Sequence, residues 1–337
     1  MARDTANGEI RGETPLLQAS RIPATTADQA KTALFPFWRY LSPLYWPVWI
    51  GLGFTRLCVL LPFGAQLALG RGLGRLLHFV LTGRRRIVDI NLSLCFPEMD
   101  AAERKRLVRA TFESSGIAVF EVALAWWGGD ERLRKLHRME GQEHLAAARA
   151  LGKGVILLGG HYTTLEISGR LLAFNTDRIQ PIYKPARNAL YEAVMAGSRK
   201  RTFENLLAND DMRAILRALK SGATIWYAPD QDFGRDRSVF APFFGVPATT
   251  LLATMRLARL SGAPVLPFYS ERLPGTEGYL IRIGAPLANF PTGDDVADGT
   301  AVNAAIEEQV RRTPEQYLWL HKRFKSRPIG EPSVYKR

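Results

Sequence analysis

A histidine behind two glycines, with a carboxylate five residues further on, is the pattern in this chain best suited to chemistry: Gly159-Gly160-His161-Tyr162-Thr163-Thr164-Leu165-Glu166. A neutral imidazole can take a proton from a hydroxyl near pH 7, and a carboxylate on its other nitrogen would fix the tautomer and stabilise the imidazolium. His161 is therefore a candidate general base, and Glu166 the candidate that orients it. Two plainer readings use the same residues. Thr163-x-x-Glu166 is also a capping-box pattern, and Gly-Gly-His before a helix is also an ordinary turn.

A second cluster is Asp230-Gln231-Asp232-Phe233-Gly234-Arg235-Asp236-Arg237. Asp-x-Asp can hold a divalent metal, as in many glycosyltransferases, but it lacks the ligand run of a calcium loop and the arginines beside it repel a cation. Arg235 and Arg237 suit a phosphate or a developing oxyanion, with Asp230 and Asp232 orienting them. Lys184, after the run Ile179 to Tyr183, is a further candidate contact for an anionic substrate, or else a solvated charge. No metal ligand set and no cofactor motif is assigned.

The His161 segment resembles the His-x4-acid motif of glycerolipid-type acyltransferases, in the His-x4-Glu form of the late acyltransferases of lipid A biosynthesis. Four more stretches resemble that family in its order: Asn91 to Glu98, Ile182 to Tyr191, Ala228 to Val246 and Gln316 to Pro328. Together they cover roughly residues 46 to 335. The resemblance implies a layered α/β acyltransferase fold. It also implies an acyl-carrier-protein donor and an anionic glycolipid acceptor of the Kdo2-lipid IVA type, with direct transfer and no covalent acyl-enzyme. The family pattern carries Arg where this chain has Lys184, which keeps the charge and loses the bidentate fork. Its basic positions in the Asp230 block match Arg237 more closely than Arg235.

Composition agrees with an anionic partner. The chain has 337 residues, a net charge of +13 and a sequence pI near 10.0. Such a balance suits acidic lipid head groups or an acidic carrier. Aromatics do not interleave with the basic residues as on a base-stacking surface, which argues against nucleic acid. Cys58 and Cys95 form neither a disulfide framework nor a metal spacing.

The elements that must position these residues are legible as alternating patterns. Val155 to Leu158, Ile179 to Tyr183, Thr224 to Tyr227, Ala263 to Tyr269 and Tyr279 to Ile283 read as strands. Ala189 to Arg199, Met212 to Ser221 and Leu251 to Leu260 read as helices. The alternation predicts an α/β domain with a largely parallel sheet flanked by helices, and with the site loops at strand ends. Asp100 with Glu103 predicts the start of a long amphipathic helix that closes at Trp126-Trp127. The C-terminal run Trp319, His321, Lys322, Arg323, Lys325 and Arg327 reads as a basic, aromatic-containing tail suited to an anionic membrane.

The chain divides into a flexible tail and aromatic lead-in over 1–44, a membrane-anchoring hydrophobic segment over 45–70, and an acyltransferase domain over 71–337. No secretory signal peptide is expected. Trp46 to Leu69 is long enough to span a bilayer, with Tyr45, Trp46 and Trp49 as an aromatic belt. Against a transmembrane helix stand Pro47, Pro62 and a central Arg56, whose insertion costs roughly 2.5–3.5 kcal/mol; a buried or interfacial hairpin is the other reading. Arg71, Arg75, Arg84, Arg85 and Arg86 follow, and in either case put the protein at a membrane. The expected place is the inner membrane, with the catalytic domain on its cytoplasmic face. The readings carried forward are four: a lipid A acyltransferase; an acyltransferase for a phospholipid, ornithine lipid or phosphatidylinositol mannoside; a metal-dependent glycosyltransferase; and a non-catalytic membrane-surface protein.

Overall fold

A computed structural model describes residues 37–336; of the tail and aromatic lead-in expected over 1–44, the first 36 residues lie outside them. Two short 3-10 turns (Phe37–Tyr40 and Pro43–Tyr45) lead into four α-helices: α1 (Trp46–Cys58), α2 (Phe63–Val80), α3 (Thr82–Cys95) and α4 (Ala101–Trp127). The capping box at the start of α4 forms as the sequence predicts. Glu103 N–H donates to Asp100 Oδ1 at 2.7 Å, and Asp100 N–H to Glu103 Oε2 at 3.3 Å.

The hydrophobic segment does not form a single helix. It breaks between α1 and α2 at Val59–Pro62, where Pro62 lacks an N–H to continue the ladder and becomes the N-cap of α2. Among the described residues no helix is long and apolar enough to cross a membrane. The transmembrane helix expected over Trp46 to Leu69 is not among the helices of those residues. Arg56 lies over the Trp127 ring, 5.5 Å from its centroid, rather than in mid-span. α2 packs closely on α4, and glycines let the backbones touch: a Cβ on Gly74 would sit 2.3 Å from the Phe112 carbonyl oxygen. The other side of this pair is open, with Trp46, Ile50, Phe54 and Leu57 exposed along α1 and Leu69, Leu76 and Phe79 along α2.

After α5 (Asp130–Lys135) the chain enters a seven-stranded sheet through β1 (His137–Glu140) and α6 (Gln142–Ala150). There follow β2 (Val155–Leu158), α7 (Leu165–Leu172), β3 (Ile179–Tyr183), α8 (Ala189–Lys200), β4 (Leu207–Ala208), α9 (Met212–Lys220) and β5 (Thr224–Tyr227). A two-stranded antiparallel hairpin of β6 (Ser238–Phe243) and β7 (Val246–Leu251) intervenes before α10 (Ala253–Ser261). The chain closes with β8 (Val265–Arg272), β9 (Tyr279–Ile283) and α11 (Asp295–Arg312).

The large sheet has the order β1-β9-β8-β2-β5-β3-β4, parallel throughout except at the β8–β9 pair. The mostly parallel α/β architecture expected from the alternating pattern is thus present. β2 is buried at every residue because both faces are covered. Ile156 and Leu158 join the core on one face, Val155 and Leu157 the core on the other, as the two-residue side-chain period requires. The register pairs Leu158 at the end of β2 with Tyr227 at the end of β5.

Candidate active site

That register builds the site. His161 stands three residues past Leu158, and Asp230 three residues past Tyr227, so two adjacent parallel strands deliver the two side chains to the same edge of the sheet. The His161 backbone N–H donates to Asp230 Oδ2 at 2.8 Å, and its Nδ1 lies 2.6 Å from Asp230 Oδ1. Asp230 is fully buried, while the His161 side chain keeps 24 % of its surface. Burial alone would raise the Asp230 pKa. The imidazole charge, its hydrogen bonds and the Tyr317 hydroxyl outweigh burial and hold the carboxyl at about 2. Burial likewise disfavours the imidazolium, yet the Asp230 charge raises the His161 pKa above its ordinary value. An ionised carboxylate only accepts, so Nδ1 carries the proton and Nε2 is left with the lone pair.

The carboxylate on the imidazole is therefore Asp230 and not Glu166, which corrects the expectation that Glu166 orients His161. Glu166, in the first turn of α7, accepts from Trp126 Nε1 at 2.7 Å and from Arg199 Nε at 3.0 Å. A planar guanidinium and an indole from α8 and α4 claim both its oxygens. It does not form the capping box either, since the N-cap Thr164 makes no side-chain cap bond.

The C-terminal run is no surface tail. Trp319, Arg323 and Phe324 are buried, and the run is threaded beside the His161 loop. Thr163 N–H donates to the Gln316 carbonyl at 2.7 Å and Leu318 N–H to the His161 carbonyl at 2.9 Å. Asn91 of α3 clamps the same run, donating to the carbonyls of Trp319 (2.7 Å) and His321 (2.8 Å). A cavity of about 10 Å³, the size of one water, is bordered by His161, Asp230, Gln231, His321 and Arg323.

His321 is the site residue that sequence reasoning passed over. The Asp232 backbone N–H donates to its Nε2 at 3.1 Å. A peptide N–H cannot accept, so Nε2 is unprotonated and the ring proton sits on Nδ1. Burial lowers its pKa and favours that neutral form. Arg323 donates to the Thr249 carbonyl at 2.8 Å and lies over the Phe243 ring; among the described residues it has no carboxylate partner within ion-pair distance. The only sequence signal for either residue is its place in the Trp-x-His-x-Arg run.

The remaining candidates lie outside the cavity. Asp232 accepts from the Ser326 backbone N–H at 2.7 Å and from Gly234 N–H at 2.9 Å, so it orders two loops and does not orient the arginines. Asp230 and Asp232 serve different partners, and no cluster of three or more potential metal ligands occurs among the described residues. Arg235 is exposed and donates to the Arg327 carbonyl at 2.6 Å. Arg237 and Lys184 are exposed, with Lys184 one residue beyond β3 at the same sheet edge as His161.

Behind the loop a buried ion pair fixes Thr163. Arg272 of β8 donates to Glu121 of α4 at 2.7 and 3.0 Å, and to Thr163 Oγ1 at 3.3 Å. Tyr279 donates to the same carboxylate at 2.8 Å. Three elements thereby hold the segment that carries His161.

The bacterial lipid A biosynthesis acyltransferase family model matches residues 37–326. The chain is 39% identical over 297 residues to a lipid A biosynthesis palmitoleoyltransferase of Escherichia coli, covering 88% of this chain and 96% of that protein. It is 38% identical over 296 residues to the lipid A biosynthesis lauroyltransferase of the same organism, with the same coverage. With the myristoyltransferase of that organism it shares 30% over 299 residues, covering 88% of this chain and 93% of the relative.

Proposed function

The chain belongs to the bacterial lipid A biosynthesis acyltransferase family, and we propose that this acyltransferase moves a fatty acyl chain from acyl-carrier protein to a hydroxyl of a Kdo2-lipid IVA-type precursor. The observation that carries the mechanism is the His161–Asp230 pair. His161 Nε2 takes the proton of the acceptor hydroxyl as its oxygen attacks the thioester carbonyl. The C–O bond forms, the C–S bond breaks, and the imidazolium returns its proton to the departing thiolate. No side chain is acylated. Asp230 keeps the imidazole in the reactive tautomer and stabilises its charged form.

The developing oxyanion needs a donor. His321, bordering the same cavity with its proton on Nδ1, supplies one, and the buried Arg323 adds positive potential. Glu166 acts at one remove, by pinning the start of α7 to Arg199 and Trp126. Lys184, Arg235 and Arg237 meet anionic groups of the substrates farther from the reacting atoms.

The net charge of +13 supports an acidic carrier and a phosphorylated acceptor. The exposed apolar faces of α1 and α2, with Arg71, Arg75 and Arg84 nearby, support an interfacial seat on the cytoplasmic face of the inner membrane. Purified protein mixed with acyl-carrier protein bearing C10 to C16 chains and Kdo2-lipid IVA should give a product one acyl chain heavier by mass spectrometry. His161→Ala should abolish it while leaving the fold intact; full activity in that variant would remove the mechanism.

A further inference from the structure

We propose that the groove at the α2–α3 junction binds the phosphorylated end of an anionic amphiphile, and that this amphiphile is the acyl acceptor. The groove has a volume of about 580 Å³, within the usual range for a small-molecule site. Its apolar wall includes Val80, Ile87 and Ile90, its cations are Arg84, Arg86 and Lys322, and among the described residues no carboxylate lines it. Aliphatic surface beside three positive charges is complementary to an acyl chain joined to a phosphate.

Two further observations tie the groove to the site and to a lipid surface. Arg84 donates to the Leu320 carbonyl at 3.1 Å, and Lys322 adjoins His321, which borders the His161 cavity. The run from Trp319 to Lys322 thus gives Trp319 and His321 to the cavity and Lys322 to the groove. Val80 lines the groove and is itself exposed, at the end of the exposed strip of α2 through Leu76 and Phe79. A lipid head group reaching the cavity from a membrane under that strip passes the three cations. This assignment rests on the transferase reading for the acceptor's identity, but the groove's preference can be measured without turnover.

The probe is monododecyl phosphate, titrated calorimetrically into the full chain, with inorganic phosphate and dodecyl maltoside as separate controls. Wild type should bind the phosphate ester at least tenfold more tightly than either control. The double variant Arg86→Glu, Lys322→Glu should lose that preference, and Ile87→Asp should weaken the ester while leaving inorganic phosphate unchanged. Equal binding of all three probes, or an ester affinity untouched by the double variant, would overturn the proposal. The second arm compares acyl transfer to phosphorylated and dephosphorylated acceptor. The double variant should raise KM at least tenfold for the phosphorylated acceptor alone, with kcat and the carrier-protein KM unchanged; an equal loss on both acceptors would also count against the groove. If wild type transfers no acyl chain, the transferase reading fails and the calorimetric arm still decides whether the groove takes an anionic amphiphile.

Discussion

At the scale of single residues, the decisive fact is where protons sit on two imidazoles. Asp230 raises the His161 pKa, so the base form is lost at higher pH than for a free histidine. The acid limb of kcat/KM should therefore have its midpoint above 6.5. Replacing Asp230 by Asn removes the raising charge and leaves burial, so the limb should move to lower pH as the rate falls. The same carboxyl links to stability. It titrates at about 2 in the fold and near 3.9 in the unfolded chain, so the unfolded state takes up the proton first. Asp230's contribution is full above about pH 4 and is lost as pH falls toward 2; urea midpoints measured across that window should show the loss, and a D230N variant should show less of it. For His321 two isosteres separate roles. Asn keeps a donor near the Nδ1 position and should retain more kcat than Gln, which keeps the acceptor for Asp232 N–H and should retain more stability. Losing an oxyanion donor costs on the order of 10²–10³ in kcat. The reverse ranking of the two variants would remove the donor role.

At the scale of elements, the site depends on how strands and helices are bolted together. Arg272 and Glu121 are both nearly buried, at 8 % and 2 % side-chain exposure, and their pairing backs the Thr163 end of the His161 loop. Glu121→Ala leaves a buried guanidinium without its carboxylate, and should cost about 3–5 kcal/mol in chemical denaturation. Much of this frame is legible in the chain. Val155–Leu158, Ile179–Tyr183, Thr224–Tyr227 and Tyr279–Ile283 are rich in apolar, β-branched and aromatic residues, broken only by Gln180, Pro181 and Arg282, and all four are strands with those bounds. β1 escapes because three of its four residues, His137, Arg138 and Glu140, are polar or charged, and only alternate residues are half-buried. The partnership of His161 with Asp230 escapes for a different reason. The two residues lie 69 apart in the chain and meet only through the parallel pairing of β2 with β5. Equal three-residue spacing beyond two strands was a usable signal, but its use requires knowing that those strands are neighbours. Spacing along the chain pointed instead to Glu166, which the fold gives to Arg199.

At the scale of the whole molecule, the proposed function assigns charge and exposed apolar surface separate parts in bringing the substrates together. On the proposed reading, with an acidic carrier as donor, the net charge of +13 acts over distances that salt screens, with a Debye length of about 8 Å at physiological ionic strength. The KM for acyl-carrier protein should rise with added salt while kcat holds, and salt-independent kinetics would contradict the steering argument. Two apolar residues of α1 stand well out of the core, Ile50 at 72% and Leu57 at 67% exposure. Ile50→Asp with Leu57→Asp should weaken flotation with anionic vesicles at least tenfold. Thermal stability should be little changed, since surface substitutions usually stay within about 0.5 kcal/mol.

The most direct test of the account sets two carboxylates against each other in the transfer assay, with rates expressed per folded enzyme. Asp230→Asn should lower kcat by roughly 10³–10⁴-fold, as expected when an imidazole loses the partner that holds its tautomer. Glu166→Gln should lower the melting temperature and leave kcat within about tenfold of wild type, because Glu166 touches Arg199 and Trp126 and not the imidazole. A folded Glu166→Gln enzyme without activity, beside an active Asp230→Asn enzyme, would contradict the assignment of Asp230 as the partner of His161.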